Sequence, residues 1–352
     1  MHIGAKRVFR LSLTVALSLA VSYGMANTMP YIAPLFAFML GAAPKPPMGF
    51  KGLIGLILIL GMILSTGLLL IPLLTYYPMT ALMLVLMGLF FANYLSLNMG
   101  KGPVGVFLTV GITLISALGL LGHGIAMMVI SALLLNVAIA VICQWIVYPL
   151  FPEDDAAPAP PAPPERLQSS WLALRATLII FPSYLLVLYN PTAYAPIIMK
   201  SVALGQQATE TDARHAGREL LGSTCMAGIM AILFWCCLKL APNLWMYFLW
   251  TLVFSMYFVA KFYAVLESRF SQSFWQNVMV TLFIFIGPAV EDTANGKDPY
   301  KASVIRIGLF LGVTIYAWMM LVSLEWLRKR QEYKKPPALL VGAIVSGTLY
   351  ID

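Results

Sequence analysis

Charged residues are scarce in this chain, and the few that lie within or beside apolar runs are the ones that could do chemistry. Only 10% of the 352 residues are charged, whereas 61% are hydrophobic. Lys200 stands out because it follows Pro196 by one helical turn in a short apolar segment. A lysine there is costly unless it reaches water or a partner, so it either attracts an organic anion or extends to the aqueous boundary.

A second basic group, Arg214 and Arg218, follows a run that fits a helix capping box, Thr209 to Asp212. The two arginines are four residues apart, so both side chains fall on one face of a helix. This spacing predicts a small anion-attracting patch at a helical entrance. The alternative is a solvated helix start that follows the ordinary charge bias of membrane proteins.

Carboxylates are absent from the middle of the apolar runs, which argues against a buried proton relay built from acidic residues. Glu219 and Glu267 remain candidates for proton coupling from a water-filled cavity. The loop from Pro288 to Lys301 contains a second set of acidic residues, namely Glu291, Asp292 and Asp298. This loop is a candidate contact for a periplasmic partner, with an inert connector as the alternative.

Signatures of enzymes and metal sites are missing from the sequence. It contains no phosphate-binding G-x-x-x-x-G-K-[ST] loop, no H-E-x-x-H and no G-x-S-x-G. The three histidines are scattered, and the four cysteines lie in apolar runs without C-x-x-C spacing. We therefore expect no enzymatic activity, no metal and no cofactor.

Long apolar runs position these residues, and they follow one another from Leu11 to Leu327. A bilayer needs about 20 apolar residues per spanning helix, and backbone groups in lipid must be satisfied within their own segment. The pattern predicts an all-α integral membrane protein with about 10–12 transmembrane or half-membrane helices. The predicted segments are 10–27, 30–42, 51–74, 78–98, 103–122, 124–150, 172–189, 193–205, 217–240, 244–265, 273–288 and 303–328.

Two predicted segments, 30–42 and 193–205, are too short to span a bilayer unaided. Each contains an Ala-Pro pair, which places Pro34 and Pro196 where proline would break or kink a helix. These segments either span or re-enter. The basic, then apolar N-terminus also resembles a secretory signal, but the spans that follow directly favour a first transmembrane helix.

Basic residues indicate the orientation of the bundle. With the N-terminus inside, 18 of the 22 lysines and arginines fall at cytoplasmic ends. This bias predicts a multi-pass protein with both termini in the cytoplasm. The net charge of +8 therefore marks the cytoplasmic face of a membrane protein, and no nucleic-acid partner is expected.

An acidic and then proline-rich linker, residues 152–170, divides the chain into two membrane regions. The prediction is an N-terminal half at 1–151, a C-terminal half at 171–330 and a tail at 331–352. Each half has about six segments and opens on a basic residue, Arg10 or Arg175. Transporters built from such repeats often bind substrate near the midplane between the halves.

The repeated pattern resembles the fusaric acid resistance and aromatic acid exporter superfamily, in a short bacterial inner-membrane branch. In the first half the pattern runs from Arg10 through Pro34 and Lys51 to Gly55 and Gly61. In the second half the corresponding residues are Arg175, Pro196, Arg218, Gly222 and Gly228. The long members have a large cytoplasmic domain between the halves, and this chain lacks it.

The resemblance implies an inner-membrane efflux component for aromatic carboxylates or other organic anions, working with a periplasmic membrane-fusion adaptor. The anion would enter near Lys200, Arg214 and Arg218 and pass between the halves beside Pro34 and Pro196. Two alternatives remain, namely a non-transporting accessory subunit of an adaptor complex and a passive organic-anion channel. A homo-oligomer is compatible with each.

Overall fold

The fold is all-α throughout the residues that the computed structural model describes, which are 3–43, 45–98, 102–153, 166–210, 217–294 and 299–334. Helices α1 to α7 belong to the predicted N-terminal half and α8 to α13 to the predicted C-terminal half. Their bounds are α1 Ile3–Gly24, α2 Ile32–Gly41, α3 Phe50–Tyr76, α4 Pro78–Asn98, α5 Gly102–Val110, α6 Ser116–Gly119, α7 His123–Val147, α8 Arg166–Tyr189, α9 Pro191–Glu210, α10 Gly222–Leu240, α11 Leu244–Phe262, α12 Gln272–Ala294 and α13 Pro299–Lys334.

Nine helical stretches in the described part of the chain are long and apolar enough to cross a membrane. Their apolar side chains remain exposed on the outside of the bundle, notably along α3, α4, α10 and α13. An aqueous environment would disfavour such surfaces, whereas lipid tails match them. The protein is therefore an all-α, multi-pass integral membrane protein in a lipid bilayer.

The two short predicted segments differ from each other in the structure. Helix α2 has 10 residues, about 15 Å at the usual rise, which is half the thickness of a bilayer core. Pro34 is its third residue, where a missing amide hydrogen breaks no helical bond. Helix α9 instead extends over 20 residues and continues through Pro196. The predicted segment 193–205 was therefore too short, because the polar residues after Gly205 prolong the helix.

A turn at residues 25–31 joins α1 to α2, and Asn136, about halfway along α7, holds it in place. The side-chain oxygen of Asn136 accepts from Ser22 Oγ at 2.8 Å and from Asn27 Nδ2 at 3.1 Å. Its nitrogen donates to the Met29 carbonyl oxygen at 3.2 Å. Asn136 thus satisfies polar groups that would otherwise be unpaired beside an apolar core.

Helix contacts follow the same scheme in both halves. Helix α1 packs on α2 and α7, as α8 packs on α9 and α13. Across the halves, α1 packs on α11 and α4 packs on α8. The repeat of two halves remains a prediction, and these paired contacts are the ones that a pseudo-twofold repeat would give.

Close packing joins the helices into one apolar core that includes residues from both halves. A Cβ added to Gly67 of α3 would lie 2.1 Å from the carbonyl oxygen of Gly111. Gly111 begins a π-helical turn, Gly111–Ile115, that joins α5 to α6. Between the halves, Gly287 of α12 leaves room for the ring of Tyr31, which a Cβ would meet at 2.1 Å. Glycine is needed at both contacts because no side chain fits.

Candidate functional site

Lys200 lies in the interior of the bundle, and its side chain is completely buried, with 0% exposure. Its ammonium donates to Thr281 Oγ1 at 2.8 Å and to Asn277 Oδ1 at 3.4 Å, both on α12. Neither partner carries a charge. The alternative of a lysine extending to the aqueous boundary does not describe this side chain, because it is fully enclosed.

A hydrogen-bonded network fixes the partners of Lys200. Asn277 Nδ2 donates to Ser223 Oγ on α10 at 2.6 Å. Ser223 in turn donates to the Leu220 carbonyl oxygen at 3.1 Å, and Thr281 Oγ1 donates to Asn277 Oδ1 at 3.4 Å. We call Lys200, Ser223, Asn277 and Thr281 the Lys200 site; all four side chains are buried.

Among the described residues, two acceptors lie within hydrogen-bond distance of Lys200 Nζ, one fewer than an ammonium group has N–H donors. An ammonium group has three N–H donors, and Lys200 directs two of them to Thr281 and Asn277. Within the described ranges the ion pairs join Arg7 and Arg10 to Glu153, and none includes Lys200. A buried ammonium without a counter-charge is costly. The site is therefore suited to a ligand that supplies a negative charge and an acceptor oxygen.

Further polar side chains lie on the segments that lead into α10 and α12, at the end of the bundle that is predicted to be cytoplasmic. Ser271 precedes α12 and accepts from the Phe274 amide at 3.1 Å, so it caps that helix. Its hydroxyl donates to Glu219 Oε2 at 2.6 Å. Asn277 lies less than two helical turns beyond Ser271, and Ser223 one turn beyond Glu219. Glu219 and Ser271 thus mark this end of the bundle as the proposed entrance to the site.

Arg218 adds a positive charge at the same entrance. Its side chain is exposed, and its guanidinium carbon lies 4.8 Å from the centroid of the Phe270 ring. One guanidinium nitrogen donates to the Arg269 carbonyl oxygen at 3.4 Å. Arg214, its predicted companion, lies outside the described residues. The structure therefore places Arg218 and Glu219 against the segment before α12, Arg218 on Arg269 and Glu219 on Ser271.

Arg10, a predicted substrate-path residue, is held by a carboxylate at the start of the linker that follows its own half. Its Nη2 lies 2.6 Å from Glu153 Oε2, and its Nη1 donates to the Phe151 carbonyl oxygen at 3.3 Å. Arg7 Nε donates to the other Glu153 oxygen at 2.6 Å. We call Arg7, Arg10 and Glu153 the Glu153 cluster. It joins the start of α1 to the chain that follows α7.

The electrostatics of the Glu153 cluster favour its ionised form. Burial raises the pKa of Glu153, but hydrogen bonds and charges from Arg7 and Arg10 lower it more. The net pKa lies below the usual value of 4.5. Opposite charges in hydrogen-bond contact favour the carboxylate over the acid.

The remaining predicted residues are spread over the molecule. Arg175 is buried in α8, and Glu267 is exposed after α11, where its carbonyl oxygen accepts from Lys261 Nζ at 2.5 Å. Glu291 lies near the end of α12 and interacts electrostatically with Tyr31. The side chain of Asp292 and the whole of Asp298 lie outside the described residues.

A small cavity with a mixed polar and apolar lining lies where the halves meet. It measures about 20 Å³, enough for about one water molecule, and is lined by Asn93 and Ser96 of α4, Thr109 of α5 and Val202 of α9. The described helices around it are closely packed. A molecule as large as an aromatic acid would need the helices to move before it could pass between the halves.

Sequence reasoning missed Ser223, Asn277 and Thr281. Asn277 and Thr281 are spaced i,i+4 within an apolar helix, which places both on one face. That spacing was a usable signal for a polar stripe. The sequence did not reveal that α12 turns this stripe toward Lys200, more than seventy residues earlier in the chain.

Comparison with known proteins gives one match. A family model described as a protein of unknown function, DUF2955, matches residues 7–147. The match covers α1 to α7 and stops before Glu153 and the Lys200 site. Neither the curated proteins nor the solved structures contain a match.

Proposed function

We propose that this protein is a secondary transporter of the bacterial inner membrane that exports organic anions such as aromatic carboxylates. The observation that supports it best is the fully buried Lys200, whose polar contacts are with the neutral side chains of Asn277 and Thr281. Ionisable residues inside membrane helices commonly mark substrate or ion pathways. The proposal is of a carrier and not of an enzyme.

In this proposal the carboxylate of the substrate accepts a hydrogen bond from the Lys200 ammonium. Such charge-assisted hydrogen bonds are about twice as strong as neutral ones. Thr281 and Asn277 hold the ammonium in place, and Ser223 holds Asn277. Arg218, together with Arg214, raises the local concentration of anions at the entrance.

A periplasmic membrane-fusion adaptor is the proposed partner, and its support is the family resemblance of the sequence. The proposed contact is the acidic stretch at the end of α12 and beyond it, through Asp292 and Asp298. Glu291 is a weaker candidate, because it also faces Tyr31 within the bundle. The proposal places both termini in the cytoplasm, on the side where 18 basic residues are predicted.

Efflux from cells tests this function. Cells that lack the protein and cells that regain it are loaded with a panel of aromatic carboxylates, and export is followed with and without an uncoupler, with the adaptor co-expressed. Restored efflux that collapses with the uncoupler fits a carrier. Efflux that ignores the uncoupler and follows the anion gradient would identify a passive channel instead.

A matched pair of variants ties the efflux to the site. Lys200→Met removes the buried charge, whereas Lys261→Met removes a partly exposed lysine at the end of α11. We expect loss of efflux only with Lys200→Met, at equal protein abundance. Unchanged efflux with Lys200→Met would refute the site.

The alternative function is a non-transporting accessory subunit of an adaptor complex. The close packing between the halves favours it, since the cavity at their junction holds about one water molecule. An accessory role predicts no efflux of any acid from cells with normal protein levels. It also predicts that an adaptor complex falls apart when this protein is absent.

A further inference from the structure

We infer that the two halves separate along the contact between α1 and α11, and that buried hydroxyl groups of this contact line the path by which the anion leaves the bundle. This inference rests on the proposed function and names the route that belongs to it. The hydroxyl groups are those of Ser12 on α1 and of Thr251 and Ser255 on α11, which we call the α1–α11 seam.

The seam lies where the two predicted halves touch. Helices α1 and α11 pack against each other, and they run antiparallel because Tyr23, near the end of α1, contacts Tyr247, near the start of α11. Ser12 is eleven residues before Tyr23, about three helical turns, and so lies on the same face of α1. Thr251 and Ser255 follow Tyr247 by about one and two turns on α11. The three hydroxyl groups therefore lie along the contact between the halves.

The hydroxyl groups of the seam differ from the other buried hydroxyl groups of α1. Ser12, Thr251 and Ser255 are at most 1% exposed, and within the described residues their hydroxyl oxygens have no hydrogen-bond partner. Thr14 and Ser18, which are also buried in α1, each donate to a carbonyl oxygen of their own helix at 2.8 Å. A buried hydroxyl without a partner is costly. Water or a polar solute that enters the seam in another state of the protein would remove this cost at all three positions.

Both ends of the seam are closed in this structure. At the end predicted to lie outside, the rings of Tyr23 and Tyr247 meet edge to face with their centroids 5.1 Å apart. Glu291 interacts electrostatically with both tyrosines. At the end predicted to be cytoplasmic, Tyr263 follows α11 and donates to the Ala42 carbonyl oxygen at the end of α2 at 2.8 Å. An anion can therefore pass along the seam only after these contacts between the halves have separated.

The seam is one helix away from the Lys200 site. Helix α12, which carries Asn277 and Thr281, packs on α11 as well as on α9 and α10. Movement of α11 away from α1 would therefore act on the helix that holds Lys200. Neutral hydroxyl groups suit a route, because a path must bind its solute weakly enough to release it. Lys200 thus binds the anion, and the seam lets it pass.

Cysteine labelling tests the route. Cells that express the full chain as Ser12→Cys, Thr251→Cys or Ser255→Cys are treated with a negatively charged, membrane-impermeant thiosulfonate reagent. The reactive form is the thiolate, which forms readily in water and poorly in apolar surroundings. We expect each variant to react faster while the cells export 4-hydroxybenzoate, an aromatic carboxylate, than in its absence. The modified proteins should lose efflux, because the attached group blocks the seam.

Two control variants and the wild type define the background. Thr14→Cys lies buried on the opposite face of α1, and Val253→Cys lies on the exposed, apolar face of α11. Neither should react beyond the wild type, which reports the four native cysteines. Normal efflux with seam variants that react no faster than these controls would overturn the inference and leave the proposed function standing. Absence of efflux from cells with the wild type would instead refute the proposed function, and the route with it.

Thr251→Val provides a second measurement that needs no reagent. Valine has nearly the shape of threonine, so the variant removes a buried hydroxyl without a partner and leaves the packing in place. We expect higher stability toward unfolding in detergent and efflux of 4-hydroxybenzoate that is about fivefold slower, the size of one hydrogen bond. The matched control Thr14→Val removes a hydroxyl that donates to the Arg10 carbonyl oxygen, and it should keep the wild-type rate. Unchanged efflux with Thr251→Val, or a fall in its stability, would count against the route.

Discussion

Arg10 and Lys200 are both buried basic side chains, and they differ in whether a carboxylate lies next to the basic group. Arg10 lies 2.6 Å from the Glu153 carboxylate, so its charge is compensated by the start of the linker that follows α7. Among the described residues, the Lys200 ammonium nitrogen is hydrogen-bonded to the neutral side chains of Thr281 and Asn277. The two positions carry the same kind of residue in the same kind of helix bundle, yet their surroundings assign them different tasks.

The comparison separates a structural cation from a functional one. A guanidinium that already has a carboxylate has little reason to bind a second anion, and removing either partner leaves a buried charge. A lysine with neutral partners can change its own charge, because a buried ammonium group gives up its proton more readily than a buried guanidinium group. Arg10 therefore stabilises the fold, and Lys200 is the stronger candidate for the substrate.

The largest expected effect is the loss of anion affinity when Lys200 is replaced. Lys200→Met should lower the affinity for 4-hydroxybenzoate about a hundredfold, since a charge-assisted hydrogen bond contributes about 1.5–3 kcal/mol. Stability should be unchanged or higher, because an apolar side chain fills the same buried space. Binding by calorimetry and unfolding in detergent measure the two quantities. A strong loss of stability with normal binding would place Lys200 with Arg10 as a structural cation.

The next effect tests the Glu153 cluster. Arg10→Met should lower the free energy of unfolding by about 2 kcal/mol, because Glu153 loses one of two partners while Arg7 remains. The double variant Arg10→Met with Glu153→Leu should recover part of this loss. Unfolding in detergent gives the values, and anion affinity serves as the control, which we expect to stay at the wild-type level.

A smaller effect concerns the residue that positions Lys200. Asn277→Ala removes one acceptor for Lys200 and one donor to Ser223. We expect the affinity for 4-hydroxybenzoate to fall about tenfold, as for the loss of one hydrogen bond of about 1.4 kcal/mol. Thr224→Ala provides the control, because Thr224 is buried beside the site and contacts Thr314 instead. Equal losses in the two variants would argue against a specific role of Asn277.

The smallest effect is the pH dependence of the Glu153 cluster. The folded pKa of Glu153 is lowered, so its contribution to stability is present above the unfolded value of 4.5 and is lost as pH falls through the folded pKa. The stability of the wild type should therefore drop more steeply below pH 4.5 than that of Glu153→Gln. Unfolding measured as a function of pH gives both slopes, and parallel curves would contradict the assignment.

Much of the fold was predictable because the length of an apolar run directly limits the helix that can cross a bilayer. The predicted segments 78–98 and 244–265 closely match α4 and α11. The predicted helix bounds were wrong at two places, where a local sequence signal did not decide where the helix begins or ends. Pro196 was expected to break or kink its helix. It does not break α9, because it falls in the second turn, where the loss of one hydrogen bond is tolerated. The predicted segment 10–27 extends beyond the end of α1, because Met25 and Ala26 already belong to the turn that Asn136 holds.

The candidate site was only partly predictable. Lys200 was conspicuous because a lone lysine in an apolar segment is rare. Its partners were not, because Ser223, Asn277 and Thr281 are ordinary residues in membrane helices and bond within their own helix as often as across helices. Glu153 was similarly hidden in a linker that composition alone described as an acidic, proline-rich spacer.

The sequence by itself determined that this is an all-α membrane protein and which few charged residues lie within or beside its apolar runs, since hydrophobicity and segment length act locally. The tertiary structure alone decided which of those charges are compensated. Arg10 and Glu153 are 143 residues apart, and Lys200 and Thr281 are 81 residues apart. Such contacts depend on how the helices rotate and pack against one another, and the pattern along a single helix does not contain that information.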